Sequence, residues 1–333
     1  MNVAWSRKIL EALSASGVRD VVYCAGARNS SFISILDQVQ GMKTYSYFEE
    51  RSAAFFALGI ARRENRPVAV LTTSGTAAAN LLPAMIEAFH VGVPLIAVTA
   101  DRPRRLRGSG APQAINQLGI FSHFAVCEFD LELGEMPDLS KWNQRAPIHI
   151  NVCFDEPLVD SKSEAISFSS QAARGFKGLP AVEKLASSSE KNFKSFLRDA
   201  KSLLVVVGTL ETEIERDAVT AFLKKTGAPC YLEGTSGIRE RADLKNQSLR
   251  SGDKVLSWAL QKNLVTHVLR IGGVPTVRIW RDLDMPSSSI EVFSVSPLPF
   301  TGLSRGKLMI ADIATTLGSA LSFGVNAGNA ETA

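Results

Sequence analysis

The feature that most constrains the fold is a unit that occurs four times in the first hundred residues. Each unit is a strand-like run, a polar or glycine-containing turn and a helix-like stretch, and the runs span 18–24, 42–48, 67–73 and 94–100. Strands that alternate with helices in this way are typical of a parallel sheet with helices on both faces. In such a sheet the turns that follow all the strands lie at one edge, which is where ligands bind.

The pattern continues after a change in composition. Residues 146–154 form another strand-like run, and the segment from about 161 to 201 is rich in Ser, Lys, Ala and Gly, as in a linker that carries some helix. Later runs span 202–208, 227–232, 266–272, 289–295 and 307–310, before a closing helix near 311–323. We therefore predict the α/β class with two doubly wound, mainly parallel sheets, in domains at 1–165 and 201–333 joined by a linker at 166–200.

Composition argues against several other classes. Of the 333 residues 45% are hydrophobic and 21% are charged, and the net charge is +4. Basic residues are not interleaved with aromatic ones, so nucleic-acid binding has little support. No apolar stretch has the length of a membrane span or the pattern of a signal peptide, so we expect a cytoplasmic protein. The four cysteines lie far apart without a CxxC pair, so we expect reduced thiols.

A loop rich in arginine follows the run at 94–100. Its arginines are Arg102, Arg104, Arg105 and Arg107. The same loop contains turn-forming and neutral hydrogen-bonding residues, namely Gly108, Gly110, Pro112, Gln113 and Gln117. Guanidinium groups at the edge where an open α/β sheet binds ligands indicate a site for an anion, and the alternative is a solvated basic loop.

The turn after the first run carries Arg28 and Asn29, directly before a helix predicted at 30–40. Free backbone N–H groups at a helix start favour an anion, and an arginine strengthens that preference. We also expect Asn29 or Ser30 to cap the helix.

The turn after the third run, at 73–77, is built from small residues and leads into a helix predicted to end near residue 90. Small residues allow a backbone to approach a ligand closely, and we expect Thr73 or Ser74 to cap the helix. The spacing is not that of a P-loop, and no GxGxxG motif is present.

Three other candidates have ordinary structural alternatives. Glu50 begins a helix, where acidic residues are common, but a carboxylate beside an apolar helix face can also share a proton with a heterocyclic nitrogen. His149 lies within a predicted strand whose residues alternate in type. No His, Cys or Asp lies at a spacing that would bind a metal together with it, so a packed core histidine is favoured. Arg278 follows a glycine turn after a strand, which resembles the first domain's arrangement, or is simply an exposed arginine at a helix start.

Four segments together resemble a known family. They read YFEERSAAFFALGIA, PVAVLTTSGTAAANLLPAMIEA, PLIAVTADRPRRLRGSGAPQAINQLGIF and IHINVCFDEPL. They are similar to segments of the thiamine-diphosphate-dependent 2-succinyl-5-enolpyruvyl-6-hydroxy-3-cyclohexene-1-carboxylate synthases of menaquinone biosynthesis, the MenD family. The resemblance is close over residues 5–160 and looser to about 313.

The resemblance implies a role for each candidate. Glu50 would be the catalytic residue, which faces N1′ of the cofactor's aminopyrimidine and holds a proton there. Cofactor binding would also involve Gly26, Thr73, Ser74 and Gly75. The two anionic substrates, 2-oxoglutarate and isochorismate, would be bound by Arg28, Asn29, Arg102, Gln113 and Arg278.

The chain also departs from the family pattern. Ala27 and Asn29 each replace a serine, Pro112 replaces an asparagine, and Arg278 replaces a lysine. The family's C-terminal domain, which binds the diphosphate through Mg²⁺, is not found in the sequence, so we expect that site on a missing domain or a partner chain. We therefore expect weak cofactor binding by this chain alone, and a homodimer or an assembly with a second chain.

Two other functions remain open at this stage. The chain is alternatively a non-catalytic anion-binding or regulatory protein, which the altered donors at Ala27, Asn29 and Pro112 favour slightly. The second alternative is a subunit of another thiamine-dependent 2-oxo acid decarboxylase.

Overall fold

A computed structural model of the chain describes residues 1–161, 166–167, 187–250, 252–285 and 288–322. The chain divides into two units, Met1–Pro180 (unit 1) and Ala181–Ala333 (unit 2). The main sheet of each unit is parallel throughout, which confirms the predicted α/β class. Much of the predicted linker, residues 168–186, lies outside the described residues, so its bounds remain a prediction.

Unit 1 contains strands and helices in the alternation expected from the sequence. Its strands are β1 (Asp20–Cys24), β2 (Val39–Gln40), β3 (Lys43–Tyr47), β4 (Val68–Thr72), β5 (Leu95–Asp101), β6 (Glu128–Leu131), β7 (Ile148–Cys153) and β8 (Ile166–Ser167). Its helices are α1 (Asn2–Ala15), α2 (Ser30–Leu36), α3 (Glu50–Glu64), α4 (Thr76–Ala79) and α5 (Leu82–Val91).

Six strands of unit 1 form its main sheet, in the order β3-β1-β4-β5-β7-β6. Because every pair is parallel, the carboxyl ends of all six strands lie at the same edge. The short strands β2 and β8 pair separately.

The core of unit 1 lies on both faces of this sheet, because alternate residues of a strand point to opposite faces. On one face Trp5 and Ile9 of α1 and Phe32 of α2 pack against the strands. On the other face Ala53 of α3 and Met85 of α5 do so. Burial on both faces explains why β4 and β5 are apolar along almost their whole length.

Three sequence predictions for unit 1 are wrong in detail. The single helix predicted to follow the turn at 73–77 and to end near residue 90 is two helices, α4 and α5, because Pro83 in the first turn of α5 cannot donate a backbone hydrogen bond to a preceding turn. The helix predicted at 30–40 ends at Leu36 and gives way to β2. Strand β6 was not predicted, although residues 127–133 alternate apolar and polar side chains.

Unit 2 has a five-stranded parallel sheet in the order β10-β9-β11-β12-β13. The strands are β9 (Leu203–Val207), β10 (Cys230–Leu232), β11 (His267–Ile271), β12 (Glu291–Ser296) and β13 (Lys307–Ile310). The described helices are α6 (Ser187–Asp199), α7 (Glu213–Thr226), α8 (Gly252–Gln261), α9 (Ile279–Asp284) and α10 (Ile313–Ser322).

Helix α6 belongs to the core of unit 2 although it lies within the predicted linker. Phe193 and Phe196 are buried, and their rings lie 5.2 Å and 5.3 Å from the ring of Phe293 on β12. Apolar burial of this kind anchors the helix to its own sheet.

Candidate functional site

The loops that carry the predicted site residues of unit 1 are neighbours at the carboxyl edge of its sheet. Glu50 follows β3, Arg28 follows β1, Thr73 follows β4 and Arg102 follows β5. The strand order β3-β1-β4-β5 therefore places their four loops side by side. This is the edge at which open α/β sheets bind ligands.

The loops after β1 and β4 are in direct contact. The backbone N–H of Arg28 donates a hydrogen bond to Oγ1 of Thr73 at 3.3 Å. A side chain at Gly26 would place its Cβ 2.5 Å from Cβ of Thr73, which is closer than two carbon atoms can approach. The small size of Gly26 thus makes room for Thr73, and any larger residue would separate these loops.

Asn29 is fully buried and holds the turn after β1 together. Its Oδ1 accepts a hydrogen bond from the Gly26 N–H at 2.9 Å, and its Nδ2 donates to the carbonyl of Cys24 at 2.9 Å. Asn29 is the N-cap residue of α2, as expected, but its side chain makes no capping hydrogen bond to the helix. The Asn29 side chain therefore stabilises the turn after β1.

The side chain of Arg28 crosses to the loop after β7. Its Nη1 donates to the carbonyl of Phe154 at 3.2 Å and lies 3.2 Å from Oε1 of Glu156. Only 16% of the Arg28 side chain is exposed, against 66% for Glu156. The guanidinium group is therefore held in place, while its carboxylate partner lies at the surface.

Arg102 joins the loop after β4 to the arginine-rich loop. Its Nη1 donates to Oγ of Ser74 at 3.1 Å and to the carbonyl of Gln113 at 3.0 Å. Gln113 is itself exposed, and its Nε2 donates to the carbonyl of Ser74 at 2.9 Å. These contacts bring together three of the predicted site residues.

Gly75 is held by two glutamines. It has a φ of +80°, and an added Cβ would lie 2.8 Å from Cγ of Gln113, so glycine fits this position best. Its N–H donates to Oε1 of Gln117 at 2.8 Å. Gly75 also occupies the position before α4 with no side-chain capping hydrogen bond, so the capping expected from Thr73 or Ser74 is wrong.

Gln117 connects this loop to a buried chain of polar groups. The residue is fully buried, and its Nε2 donates to Oδ1 of Asn151 at 2.8 Å. The same Asn151 oxygen accepts from Oγ1 of Thr99 at 2.9 Å, and that hydroxyl lies 2.7 Å from Nε2 of His149. Buried polar side chains of β5 and β7 thus fix the position of Gly75 through Gln117.

His149 is a buried core residue, as its place in a strand predicted. Its Nδ1 lies 2.8 Å from Oε1 of Glu128, and its ring packs edge-on against Phe121 at 4.7 Å. The hydrogen bond from His149 acts first among the causes that lower the pKa of Glu128. Among the residues that the structure describes, no three His, Cys, Asp or Glu side chains form a group that could hold a metal ion.

The other arginines of the loop are paired with carboxylates. Arg104 contacts Asp130, Glu132 and Glu135. Arg105 makes two hydrogen bonds, of 2.6 Å and 2.9 Å, with Asp155. The charges of Arg104 and Arg105 are therefore compensated within unit 1, and the anion site expected at this loop stays a prediction.

Arg107 is also paired, and Asp130 is its main partner. Two hydrogen bonds, of 2.8 Å and 2.5 Å, join the guanidinium group to this carboxylate. Although burial opposes the charged form, hydrogen bonds from Arg107, Asn151 and Arg104 keep the pKa of Asp130 well below its usual range. Because Asp130 lies on β6, the strand not predicted from the sequence, this pairing could not be foreseen.

Replacing Asp130 by asparagine is expected to lower the free energy of unfolding of unit 1 by about 2 kcal/mol at pH 7, because Arg107 loses its main carboxylate partner and Arg104 loses one of its three. A depressed pKa contributes stability above the unfolded value, about 3.9, and that stability is lost as the pH falls. The difference in unfolding free energy between wild type and Asp130→Asn should therefore narrow as the pH falls below about 4, and should still be narrowing at pH 3, in urea unfolding. Glu132→Gln is the control, since the Glu132 carboxylate is 42% exposed and 3.7 Å from the Arg104 guanidinium group, and a glutamine oxygen can still accept the hydrogen bond from the Arg104 N–H. Equal losses in the two variants would contradict the prediction.

Glu50 is the first residue of α3 and is half-buried. Its Oε2 accepts a hydrogen bond of 3.4 Å from Nδ2 of Asn80. The neighbouring Glu49 has the capping role instead, because it accepts hydrogen bonds from the N–H groups of Arg51 and Ser52. Glu49 therefore caps the start of α3, whereas the described hydrogen bond of the Glu50 carboxylate is a long one.

The carboxylate of Glu50 also affects the pKa of Cys24, the last residue of β1. Burial first, and then the negative charges of Glu50 and Glu49, raises the pKa of Cys24 to about 11. All four cysteines are free, as expected. Cys24 is thus a protonated core thiol beside the loop that carries Glu50.

Arg278, the remaining predicted site residue, lies in unit 2. It is exposed and directly precedes α9, after the loop that follows β11. The contacts described above are all made within unit 1.

A comparison with known protein families identifies the domain that unit 1 contains. Residues 4–120 match the family described as "Thiamine pyrophosphate enzyme, N-terminal TPP binding domain". Unit 1 therefore contains the domain of this family.

Across both units the chain is a homologue of the 2-succinyl-5-enolpyruvyl-6-hydroxy-3-cyclohexene-1-carboxylate synthases. It is 46% identical to the synthase of Bdellovibrio bacteriovorus over 306 residues, which cover 91% of this chain and 57% of that protein. It is 38% identical to the synthase of Akkermansia muciniphila over 306 residues, which cover 90% of this chain and 54% of that protein. The chain thus spans a little over half the length of these relatives.

A solved structure shares the fold. The thiamine diphosphate-dependent 4-hydroxybenzoylformate decarboxylase of Rhodococcus jostii RHA1 matches with a TM-score of 0.69 and 14% identity, over 100% of this chain and 63% of that one. Within the described part of the chain, no helix is both long and apolar enough to cross a membrane. The cytoplasmic location stays a prediction.

Proposed function

We propose that this chain supplies the pyrimidine-binding side of the active site of a synthase that decarboxylates 2-oxoglutarate and adds the succinyl unit to isochorismate. The observation that carries the proposal is the arrangement of the loops bearing Glu50, Arg28, Thr73 and Arg102 side by side at one sheet edge. The 46% identity to a curated synthase supports the choice of reaction.

The residues at this edge fit the pyrimidine ring of thiamine diphosphate. Glu50 is half-buried, and its described hydrogen bond, from Asn80, is long at 3.4 Å. Such a carboxylate is available to hold a proton at a ring nitrogen. The backbone of the loop at Thr73, Ser74 and Gly75 would line the ring, and Gln117 keeps this loop in place. When bound, the cofactor supplies the carbon nucleophile that attacks the 2-oxo group.

The substrate carboxylates would be bound by the guanidinium groups of Arg28 and Arg102. Planar guanidinium groups suit carboxylates because they donate two parallel hydrogen bonds. Arg28 is held by the carbonyl of Phe154, and Arg102 by Ser74 and Gln113, so both are oriented before a substrate arrives. Arg278 and the exposed Gln113 are proposed as further substrate contacts.

Asn29 contributes indirectly in this proposal. Both ends of its amide are used by the turn after β1, so it would position Arg28 and would not bind substrate itself. The replacement of a serine by Asn29 is then compatible with activity.

Mg²⁺ and the diphosphate would be held by a further domain or a partner chain. The described residues contain no cluster suited to a metal, and Mg²⁺ in such sites needs carboxylate and phosphate oxygens. We therefore propose an oligomer in which this chain and another part of the enzyme complete the site together.

Complementation tests the proposal. The chain is combined with the C-terminal half of the Bdellovibrio synthase, thiamine diphosphate, Mg²⁺, 2-oxoglutarate and isochorismate, and CO₂ and the coupled product are measured. We expect both to form. The N-terminal half of the Bdellovibrio synthase, in place of this chain, is the matched control that shows that split halves can combine.

The alternatives give different results in the same assay. Activity in the control without any activity for this chain would support a non-catalytic anion-binding protein. Faster CO₂ release from pyruvate than from 2-oxoglutarate, with no coupled product, would support another 2-oxo acid decarboxylase.

A further inference from the structure

A series of hydrogen bonds runs from Gly75 to His149, and the direction of each is set by the groups at its ends. The Gly75 N–H can only donate, so the Gln117 atom that lies 2.8 Å from it is the amide oxygen Oε1. The amide nitrogen Nε2 of Gln117 therefore faces Oδ1 of Asn151 at 2.8 Å and the carbonyl of Ala100 at 3.3 Å. Both of these oxygens accept, so the orientation of the Gln117 amide is fixed.

Asn151 is oriented by two carboxylates. Its Nδ2 donates to Oδ2 of Asp101 at 3.1 Å and to Oδ1 of Asp130 at 2.9 Å. Its Oδ1 is therefore the atom that faces Thr99 and Gln117, and this oxygen can only accept. The Thr99 hydroxyl has one proton, which it donates to Oδ1 of Asn151 at 2.9 Å. The Thr99 oxygen remains as an acceptor for its other neighbour.

The buried ring of His149 lies between two acceptors. Its Nε2 is 2.7 Å from the Thr99 oxygen, and its Nδ1 is 2.8 Å from Oε1 of Glu128. Both oxygens of Glu128 also accept from the Gly119 N–H, at 2.9 Å and 3.0 Å, as the oxygens of an ionised carboxylate do. The ring donates a hydrogen bond on each side only when both of its nitrogens carry a proton.

The other charged and titratable groups on the neighbouring strands β5, β6 and β7 do not compete for this pairing. Asp130 is paired with Arg107, whose Nη2 is also 3.7 Å from Oδ2 of Asp101. Burial raises the pKa of Cys153 to about 12, so this thiol is neutral at pH 7. Glu128 is therefore the carboxylate that compensates a positive charge on the ring, from a distance of 2.8 Å.

We propose that His149, doubly protonated and paired with Glu128, is a positioning residue for the loop after β4. A ring without the Nδ1 proton would place a lone pair against the Glu128 carboxylate. A ring without the Nε2 proton would take the Thr99 proton, and Asn151 would then face an oxygen that donates nothing to it. The protonation of the ring follows from these contacts alone, whereas its importance for catalysis rests on the proposed function.

Nitrogen-15 NMR of the histidine rings in the 333-residue chain tests the protonation at about pH 7.5, where an ordinary histidine is largely neutral. The other three histidines, His90, His123 and His267, are replaced by glutamine one at a time, and the ring signal that survives every replacement belongs to His149. We expect both of its ring nitrogens to carry a proton. A ring with one unprotonated nitrogen would overturn the proposal.

Thr99→Val and Thr99→Ser separate positioning from packing. Valine keeps the shape of threonine and removes the hydroxyl, whereas serine keeps the hydroxyl and removes a methyl group. We expect hydrogen exchange of the Gly75 amide to be roughly tenfold faster in Thr99→Val than in wild type, and within about threefold of wild type in Thr99→Ser. Equal acceleration in both variants would indicate a packing effect, and no acceleration in Thr99→Val would show that Gly75 is held by other contacts; either result would refute the proposal.

The complementation assay tests the importance for catalysis. Turnover should fall roughly tenfold in Thr99→Val and stay within about threefold of wild type in Thr99→Ser, and equal turnover in the two variants would refute the positioning role. Both NMR measurements use this chain without cofactor or partner, so they give a result even if wild type has no activity in the assay. That outcome would contradict the proposed function, whereas the ring protons would still decide the state of His149, including when Thr99→Val does not fold.

Discussion

Replacing Glu50 by glutamine is expected to slow CO₂ release in the complementation assay by roughly 10²–10⁴-fold, the usual range for removal of a general acid or base. Glutamine keeps the size and polarity of the side chain but cannot hold and release a proton. This loss corresponds to about 3–5 kcal/mol in the activation barrier. The melting temperature should not change, because the described hydrogen bond of Glu50 is a 3.4 Å contact with Asn80.

Glu49→Gln is the matched control, since it removes the adjacent carboxylate. Glu49 caps α3, and hydrogen bonds with Ser52 act first among the causes that lower its pKa. We expect a small loss of stability with turnover within a few-fold of wild type. Equal losses of turnover in the two variants would show that the helix start matters and that Glu50 has no special chemical role.

Replacing Phe154 by alanine is expected to lower the free energy of unfolding of unit 1 by about 3–5 kcal/mol, the cost of truncating a buried aromatic residue. Phe154 is fully buried, and its ring packs edge-on against Trp5 of α1 and Phe32 of α2, both at 5.4 Å. The substitution would leave a void where two helices meet the end of β7. Hydrogen exchange of the amides of β5 and β7 measures the loss.

Phe48→Ala is the control for that measurement, because the side chain of Phe48 is fully exposed. We expect a change within about 0.5 kcal/mol, as for most surface substitutions. A comparable loss in both variants would mean that aromatic content, and not core packing, determines the stability of unit 1. A negligible loss in Phe154→Ala would show that the helices are held by other contacts.

Much of the fold could be predicted because a strand buried on both faces leaves a clear pattern. The apolar runs at 67–73 and 94–100 became β4 and β5 almost residue for residue. Strand β6 was missed because it is short and half-exposed, and only its alternation of residue type distinguished it from a loop. The break between α4 and α5 was visible as Pro83, whose effect on a helix is strong.

The site was harder to predict, because the partners of a charged residue lie far away in sequence. Arg102 and Arg105 look alike in the sequence, yet Arg105 pairs with Asp155, which is 50 residues away, whereas Arg102 contacts Ser74 and Gln113. Only the parallel arrangement of β5 and β7 brings such distant loops together. The sequence indicated which edge of the sheet holds the charges, and the structure distinguishes the arginines paired with carboxylates from Arg102, whose guanidinium group contacts Ser74 and Gln113.

The position of β7 in the sheet limits the order in which the strands of unit 1 can pair during translation. It comes last in the chain among the strands of the main sheet, but it sits between β5 and β6. Until the ribosome has released residues 148–153, β5 is an open strand edge that could pair with another chain. A nascent unit 1 is therefore exposed to aggregation until β7 is inserted, and we expect chaperones to bind it during that interval.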